Sequence, residues 1–192
     1  HEKSAIGFHL SGHLFDEVRE EIRCFIKISL GELQESREPV WIAGIVQSER
    51  TINTAKGRLN LFLLDDGTAS VELTVDDAVY ARHRSLIKTD QVLIALAKIQ
   101  TDRRNGGLRL SLLEAIDLPQ ARCKFGKYLK LFVQKPTPSL PIFFKSQVLQ
   151  ADAQHTGETA KGLGIRLLLR TITGEVEIQL GTKTLIYPTD EM

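Results

Sequence analysis

Between Pro39 and Leu118 the chain runs through five stretches of apolar and polar alternation, interrupted once by helical spacing. Val40 to Ile52 opens the series. Val40, Trp41, Ile42, Ile45 and Val46 are apolar on both parities, which predicts a long strand covered on part of both faces, with Gly44 where such a strand must bend. Arg50 to Arg58 reads as a polar loop with Lys56-Gly57 at its tip. Leu59, Leu61 and Leu63 then alternate with Asn60 and Phe62, and Asp65-Asp66-Gly67 is a strong turn signal. Ala69, Val71, Leu73 and Val75 alternate with Ser70, Glu72 and Thr74. Asp76 or Asp77 can cap a helix through its side-chain oxygen, with Val79, His83, Leu86 and Ile87 as its apolar stripe. Gln91 to Gln100 is the fourth strand, Arg103-Arg104-Asn105-Gly106-Gly107 a second hairpin tip, and Leu108, Leu110 and Leu112 mark the fifth strand around Arg109 and Ser111.

Three strands, a helix and a two-strand hairpin, in that order, predict a five-stranded OB-fold barrel, a frequent platform for single-stranded nucleic acid. Before it, Glu2 to Ile28 reads as helical, with Ile6, Phe8 and Leu10, a break at Gly12, then Phe15, Val18, Ile22 and Phe25. Such a piece is too short to fold alone and is expected to pack on a neighbouring domain. After the barrel, Pro119 to Lys127 reads as a basic connector carrying Arg122, Lys124 and Lys127. Tyr128 to Val133 predicts a strand and Ser139 to Gln154 a helix, with Pro141 tolerable in its first turn. Ala151 to Gly164 reads as a loop, Ile165 to Ile172 and Glu175 to Leu180 as a hairpin about Thr173-Gly174, and Thr184 to Tyr187 as a last strand. The fold class is therefore mainly β with an α+β unit: a helical lead-in over 1–37, the OB barrel over 38–122, and a small α+β domain over 123–192.

Composition adds restraint. Lysine plus arginine number 25 against 24 acidic residues in 192, a net charge of +1, so a polyanion site must be a local patch. Cys24 and Cys123 are far apart and form no CxxC pair, which favours a reduced, cytoplasmic chain. No apolar run reaches the length of a membrane span and no secretory signal opens the chain. It begins on His1 and ends on Met192 in mid-pattern, as expected of part of a longer protein.

The candidate chemistry is basic. Arg50, Lys56 and Arg58 fall around the first barrel loop, and Arg103, Arg104 and Arg109 on or beside the loop joining strands four and five. In an OB-fold these two loops flank one face, so the two tips would converge on a groove that tracks phosphates. Phe62 shares the parity of Arg58 and Asn60; it is a candidate stacking platform, with packing in the core as the alternative reading. Asp65-Asp66 and Asp76-Asp77 are better explained as a turn and a helix start than as metal ligands, since a two-metal site needs carboxylates converging from separate elements. His1, His9, His13, His83 and His155 lack zinc-ligand spacing with a cysteine. Neither a phosphate-binding glycine loop nor a nucleophile motif occurs, so catalytic residues, metal and cofactor are all expected to be none.

Four stretches go further than a generic barrel. Ala5-Ile6-Gly7-Phe8-His9-Leu10-Ser11-Gly12-His13, Ala43-Gly44-Ile45-Val46, Leu64-Asp65-Asp66-Gly67-Thr68-Ala69, and Gly106-Gly107-Leu108-Arg109 running to Ile116-Asp117-Leu118 occur in this order. Together they resemble the C-terminal region of bacterial replicative DNA polymerase III alpha subunits. Leu14 stands where that family usually has proline. The resemblance covers residues 1 to about 122 well and extends less closely to Met192 through the Gly181 to Pro188 ending. It implies an OB-fold that touches single-stranded DNA template, followed by a domain that docks the tau subunit of the clamp loader. It also implies that the polymerase's catalytic aspartates lie far upstream, and that the sliding clamp is engaged through sequence outside this chain. The final helix and tail that usually finish the tau-binding domain would follow Met192. The rival expectation is an RNA-binding barrel appended to an enzyme, such as the anticodon-binding barrel of an aminoacyl-tRNA synthetase.

Overall fold

A computed structural model describes residues 15–54, 57–102, 106–134, 138–146, 162–171, 174–181 and 184–189. The chain divides into two compact units, His1–Asp117 and Leu118–Met192.

The first unit contains α1 (Asp16–Arg23), a 3-10 turn at Leu30–Glu32, β1 (Val40–Thr54), β2 (Gly57–Asp65), β3 (Ser70–Asp76), α2 (Asp77–His83), β4 (Val92–Thr101) and β5 (Leu108–Ile116). The five strands close into a barrel in the order β1-β2-β3-β5-β4, as the alternation predicts. β1 is long because it serves two neighbours. Its first part, Val40 to Ile45, pairs with β4, and the stretch from Ile45 to Thr54 pairs with β2. A register shift between Val46 and Ser48 provides the bend such a double role needs. The parallel pairing of Leu73 with Leu110 and Thr74 with Ser111 closes the barrel. Ile42, Val46, Phe62, Leu64, Leu73, Leu93, Ile99 and Leu110 are among the side chains packed inside it.

Gly44 marks the bend by a close approach. It pairs with Leu93, and a Cβ there would fall 2.7 Å from the Asp65 carbonyl oxygen and 2.9 Å from Leu64 Cγ. Gly44→Ala is expected to destabilise the barrel by about 1–3 kcal/mol, the usual cost of overpacking. An unchanged urea midpoint would contradict this.

Three expectations need correction. The polar loop predicted over Arg50 to Arg58 is mostly strand: β1 runs to Thr54 and β2 begins at Gly57, so Arg50 and Arg58 sit in a ladder opposite Leu61 and Asn53. The cross-strand pairing overrides the polar composition. The α2 stripe is shorter than its spacing implies. The helix ends at His83, none of its residues is buried, and Ile87 enters the core from the turn that follows. The basic connector is helical: α3 (Leu118–Phe125) buries Leu118 and Ala121.

The second unit contains α3, β6 (Tyr128–Val133), β7 (Leu163–Thr171), β8 (Gly174–Gln179) and β9 (Leu185–Ile186), with residues 140–146 helical. β6 and β7 are parallel, β7 and β8 form an antiparallel hairpin, and β9 pairs with β7. Phe144, Ile165, Leu167 and Ile186 form its core. Ile142 and Phe143 are exposed beside the buried Phe144. Residues 147–161, which hold the rest of the expected helix and most of the expected loop, lie outside the described residues. Among the described residues no helix is long and apolar enough to cross a membrane.

Candidate nucleic-acid interface

The β2–β3 turn anchors the lead-in segment to the barrel. Asp65 Oδ1 accepts from the Gly67 N–H at 2.7 Å, and Gly67 takes φ 81°, a conformation that costs glycine little. Asp66 is 4% exposed. Its Oδ1 accepts from the Thr68 N–H at 2.8 Å, the Thr68 hydroxyl at 2.6 Å and the Ala69 N–H at 3.2 Å. Its Oδ2 accepts from the Leu30 N–H at 2.9 Å, at the start of the 3-10 turn. Gly31 N–H donates to Thr68 Oγ1 at 3.1 Å beside it. Burial pushes the Asp66 carboxyl up, but these hydrogen bonds outweigh it and hold the group below its ordinary range. On the other side of the 3-10 turn, Ser29 and Glu32 form a capping box. The Ser29 hydroxyl, then its N–H, lower the Glu32 carboxyl.

Cross-strand register builds the barrel's outer face. Arg50 pairs with Leu61, Leu61 with Thr74, Thr74 with Ser111, and Ser111 with Lys98. Directly paired residues share a face, so this row crosses all five strands from one cation to another. Thr74 Oγ1 lies 3.2 Å from Ser111 Oγ at its middle. On the β4–β5 hairpin, Arg109 pairs with Gln100, two residues along and therefore on the same face. Lys98, Gln100 and Arg109 are all exposed.

The sequence-derived residues fare differently. Arg58 and Arg109 are exposed on β2 and β5. Arg50 is exposed on β1 but ion-paired with Glu72, so part of its charge is already answered. Lys56, Arg103 and Arg104 lie outside the described residues. Phe62 is 2% exposed and belongs to the core, so it offers no ring to a base; the packing alternative holds. Parity places it with Arg58 and Asn60, and that parity is the inward one: Asn60 is buried too, and Arg58, opposite Asn53 near the strand end, is exposed but does not share the face of Arg50. Asn60 accepts from the Thr51 hydroxyl at 2.8 Å and donates to Asp77 at 3.1 Å. Asp77 thus ties α2 to β2, and neither it nor the N-cap residue Asp76 makes a side-chain cap. Tyr80 of α2 donates to Glu49 of β1, which raises the phenol's pKa. Burial, with Arg82 nearby, lowers that of His83.

Lys98 is the residue that sequence reasoning missed. Its signal was present: Lys98 and Gln100 alternate with Ala97 and Ile99, which marks an outward parity in the strand opposite Arg109.

Residues 40–118 match the family described as OB-fold nucleic acid binding domain, which coincides with the closed barrel. The chain is 25% identical over its whole length to DNA polymerase III subunit alpha of Vibrio cholerae, and 33% identical, over 68% of its length, to that of Neisseria meningitidis serogroup B. The chain is a homologue of the bacterial DNA polymerase III alpha subunit. It spans 16% of the Vibrio alpha subunit and 12% of the Neisseria one. Among solved structures, a domain of replication protein A from Methanococcus maripaludis is 16% identical with a TM-score of 0.38, covering 47% of this chain and 93% of that one. Mitochondrial single-stranded DNA binding protein Rim1 of S. cerevisiae is 14% identical with a TM-score of 0.34, covering 42% and 93%.

Proposed function

We propose that this polymerase III alpha homologue is a non-catalytic, cytoplasmic replisome module whose barrel holds single-stranded DNA template and whose second unit docks the clamp-loader tau subunit. The observation that carries the reading is the outer row from Arg50 to Lys98, with Arg109 beside it on the same face. A row with a cation at each end, Leu61 buried within it and Arg109 beside Lys98 suits a phosphate backbone that is followed without base readout. No exposed aromatic from the described residues adds stacking on this row, so binding should be weak and strongly dependent on salt.

Asp65, Asp66 and Asp77 are engaged in the turn, the 3-10 anchor and the Asn60 contact, which supports local structural roles. The chain is accordingly expected to incorporate no nucleotide in the presence of Mg²⁺; measurable incorporation would overturn that part. In fluorescence anisotropy, single-stranded DNA should outcompete tRNA for the barrel; the reverse order would favour the anticodon-type reading. Arg103→Ala with Arg104→Ala should weaken binding to all DNA sequences alike. Ile142 and Phe143, exposed in the second unit, are the apolar anchors assigned to tau, since a few such residues usually dominate a protein interface. Ile142→Asp with Phe143→Asp should abolish tau binding and leave DNA affinity intact. Loss of DNA binding in that variant, with the barrel folded, would mean the two functions are assigned to the wrong units.

A further inference from the structure

We propose that the phosphate path extends off the barrel face into a second anion subsite, formed by Arg37 of the lead-in segment and Lys98 of β4. The inference rests on the single-stranded DNA reading above and identifies residues that neither the family resemblance nor the loop argument assigns. Arg37 and Lys98 line one open hollow of about 610 Å³ together with Glu35, Ser36 and Gln100. The lead-in is fastened there from both sides. Ser36 N–H donates to the Ile99 carbonyl at 3.3 Å, and the Thr101 hydroxyl donates to Glu35 at 2.8 Å. Ser36 Oγ donates to the Glu38 carbonyl at 2.7 Å, bracketing Arg37 between two fixed residues. Arg37 is thereby held against the strand instead of extending from a loose linker.

Charge decides what the hollow takes. Two cations face one carboxylate, and that carboxylate already accepts a hydrogen bond. Among the described residues neither Arg37 nor Lys98 has an ion-pair partner, whereas Arg50 at the other end of the row is paired with Glu72. The ligand is a phosphodiester group. Lys98 is common to the hollow and to the outer row, and Gln100 connects both to Arg109, so a strand lying on the barrel face continues into the hollow without crossing an acidic barrier. Lys gives a point charge and Arg a planar fork, a pair of donors suited to successive phosphates.

The subsite makes binding depend on length. A single OB-fold covers roughly 4–16 nucleotides. An oligo-dT of about 4 residues should reach the face alone, and one of about 12 should reach the hollow as well. In anisotropy titrations of the full chain, Arg37→Ala should lower the salt slope for the long oligonucleotide by roughly 0.7, one phosphate contact, and leave the short one unchanged, while Arg37→Ala with Lys98→Ala should lower the long one's slope by roughly 1.4, two phosphate contacts at ~0.7 each. Lys98→Gln, which keeps a hydrogen-bonding side chain of similar reach, should lower it by ~0.7, a readout that a purely structural role would not move. If the wild type binds both and the double variant retains the full slope for the long one, the subsite is wrong while the barrel-face reading stands. If the wild type binds neither, the reading beneath it falls too. If poly-glutamate displaces the long oligonucleotide at equal ionic strength, the hollow is an acidic-peptide site and the proposal is overturned.

Discussion

Phe62→Ala should be among the most destabilising single changes in the barrel, costing about 3–5 kcal/mol, the usual range for removing a buried ring. Phe62 is almost wholly buried, and its cross-strand partners are Glu49 and Leu73. Leu73 in turn pairs with Leu110, and Leu110 with Ile99, so the ring sits on the inner row adjacent to the basic outer one. That cost approaches the whole stability of a small domain, so binding has to be judged on a milder variant. Phe62→Leu keeps most of the apolar volume and should lower the denaturation midpoint modestly while leaving single-stranded DNA affinity within about twofold. A Phe62→Leu protein that kept its stability and lost its DNA affinity would restore the stacking role.

The second large effect is at Asp66. One oxygen collects three donors and the other receives the Leu30 N–H from a segment 36 residues away. Asp66→Ala leaves four donors without this acceptor and should cost about 2–4 kcal/mol. Asp66→Asn should cost less in volume but sets an NH₂ group against one of the donors. The pH dependence follows from the lowered pKa. A carboxyl that is more acidic in the folded state means the unfolded chain binds the proton first, so the contribution is full above the ordinary aspartate pKa of about 3.9 and is lost as pH falls through the folded value. The stability difference between wild type and Asp66→Asn should therefore shrink on acidification below about pH 4. A difference that grew there would mean that the carboxylate is not the stabilising form. Hydrogen exchange should also show the Leu30 and Gly31 amides opening in Asp66→Ala before the barrel strands do.

The barrel was legible because its strands are half-buried: β3 carries Val71, Leu73 and Val75 inward and Ser70, Glu72 and Thr74 outward, and period two reports that directly. The turn at Asp65-Asp66-Gly67 was legible as a turn, yet its second role was not. Nothing local in Asp66 announces that its other oxygen will hold Leu30, because that contact depends on how the lead-in returns to the barrel. Arg50 and Arg58 are legible as basic residues but not as strand, since the composition of 50–58 is polar and only the pairing with Leu61 and Asn53 makes it strand. Phe62 shows the limit of parity. Alternation says which residues share a face, but not which face is inside. The helix 118–125 was hidden by Pro119, Arg122, Lys124 and Lys127, though proline in a first turn is tolerated.

On the proposed function, the outer barrel face, and not a catalytic site or the core aromatic, gives this chain its nucleic-acid affinity. The salt dependence of oligo-dT binding tests this in the wild type and in Lys98→Ala with Arg109→Ala, both cations of the outer face. The wild type should show a linear fall of log K with log salt, and the double variant, equally folded, a slope shallower by ~1.4, one phosphate contact per cation at ~0.7 each. Identical slopes, or no DNA binding by the wild type even at low salt, would contradict it.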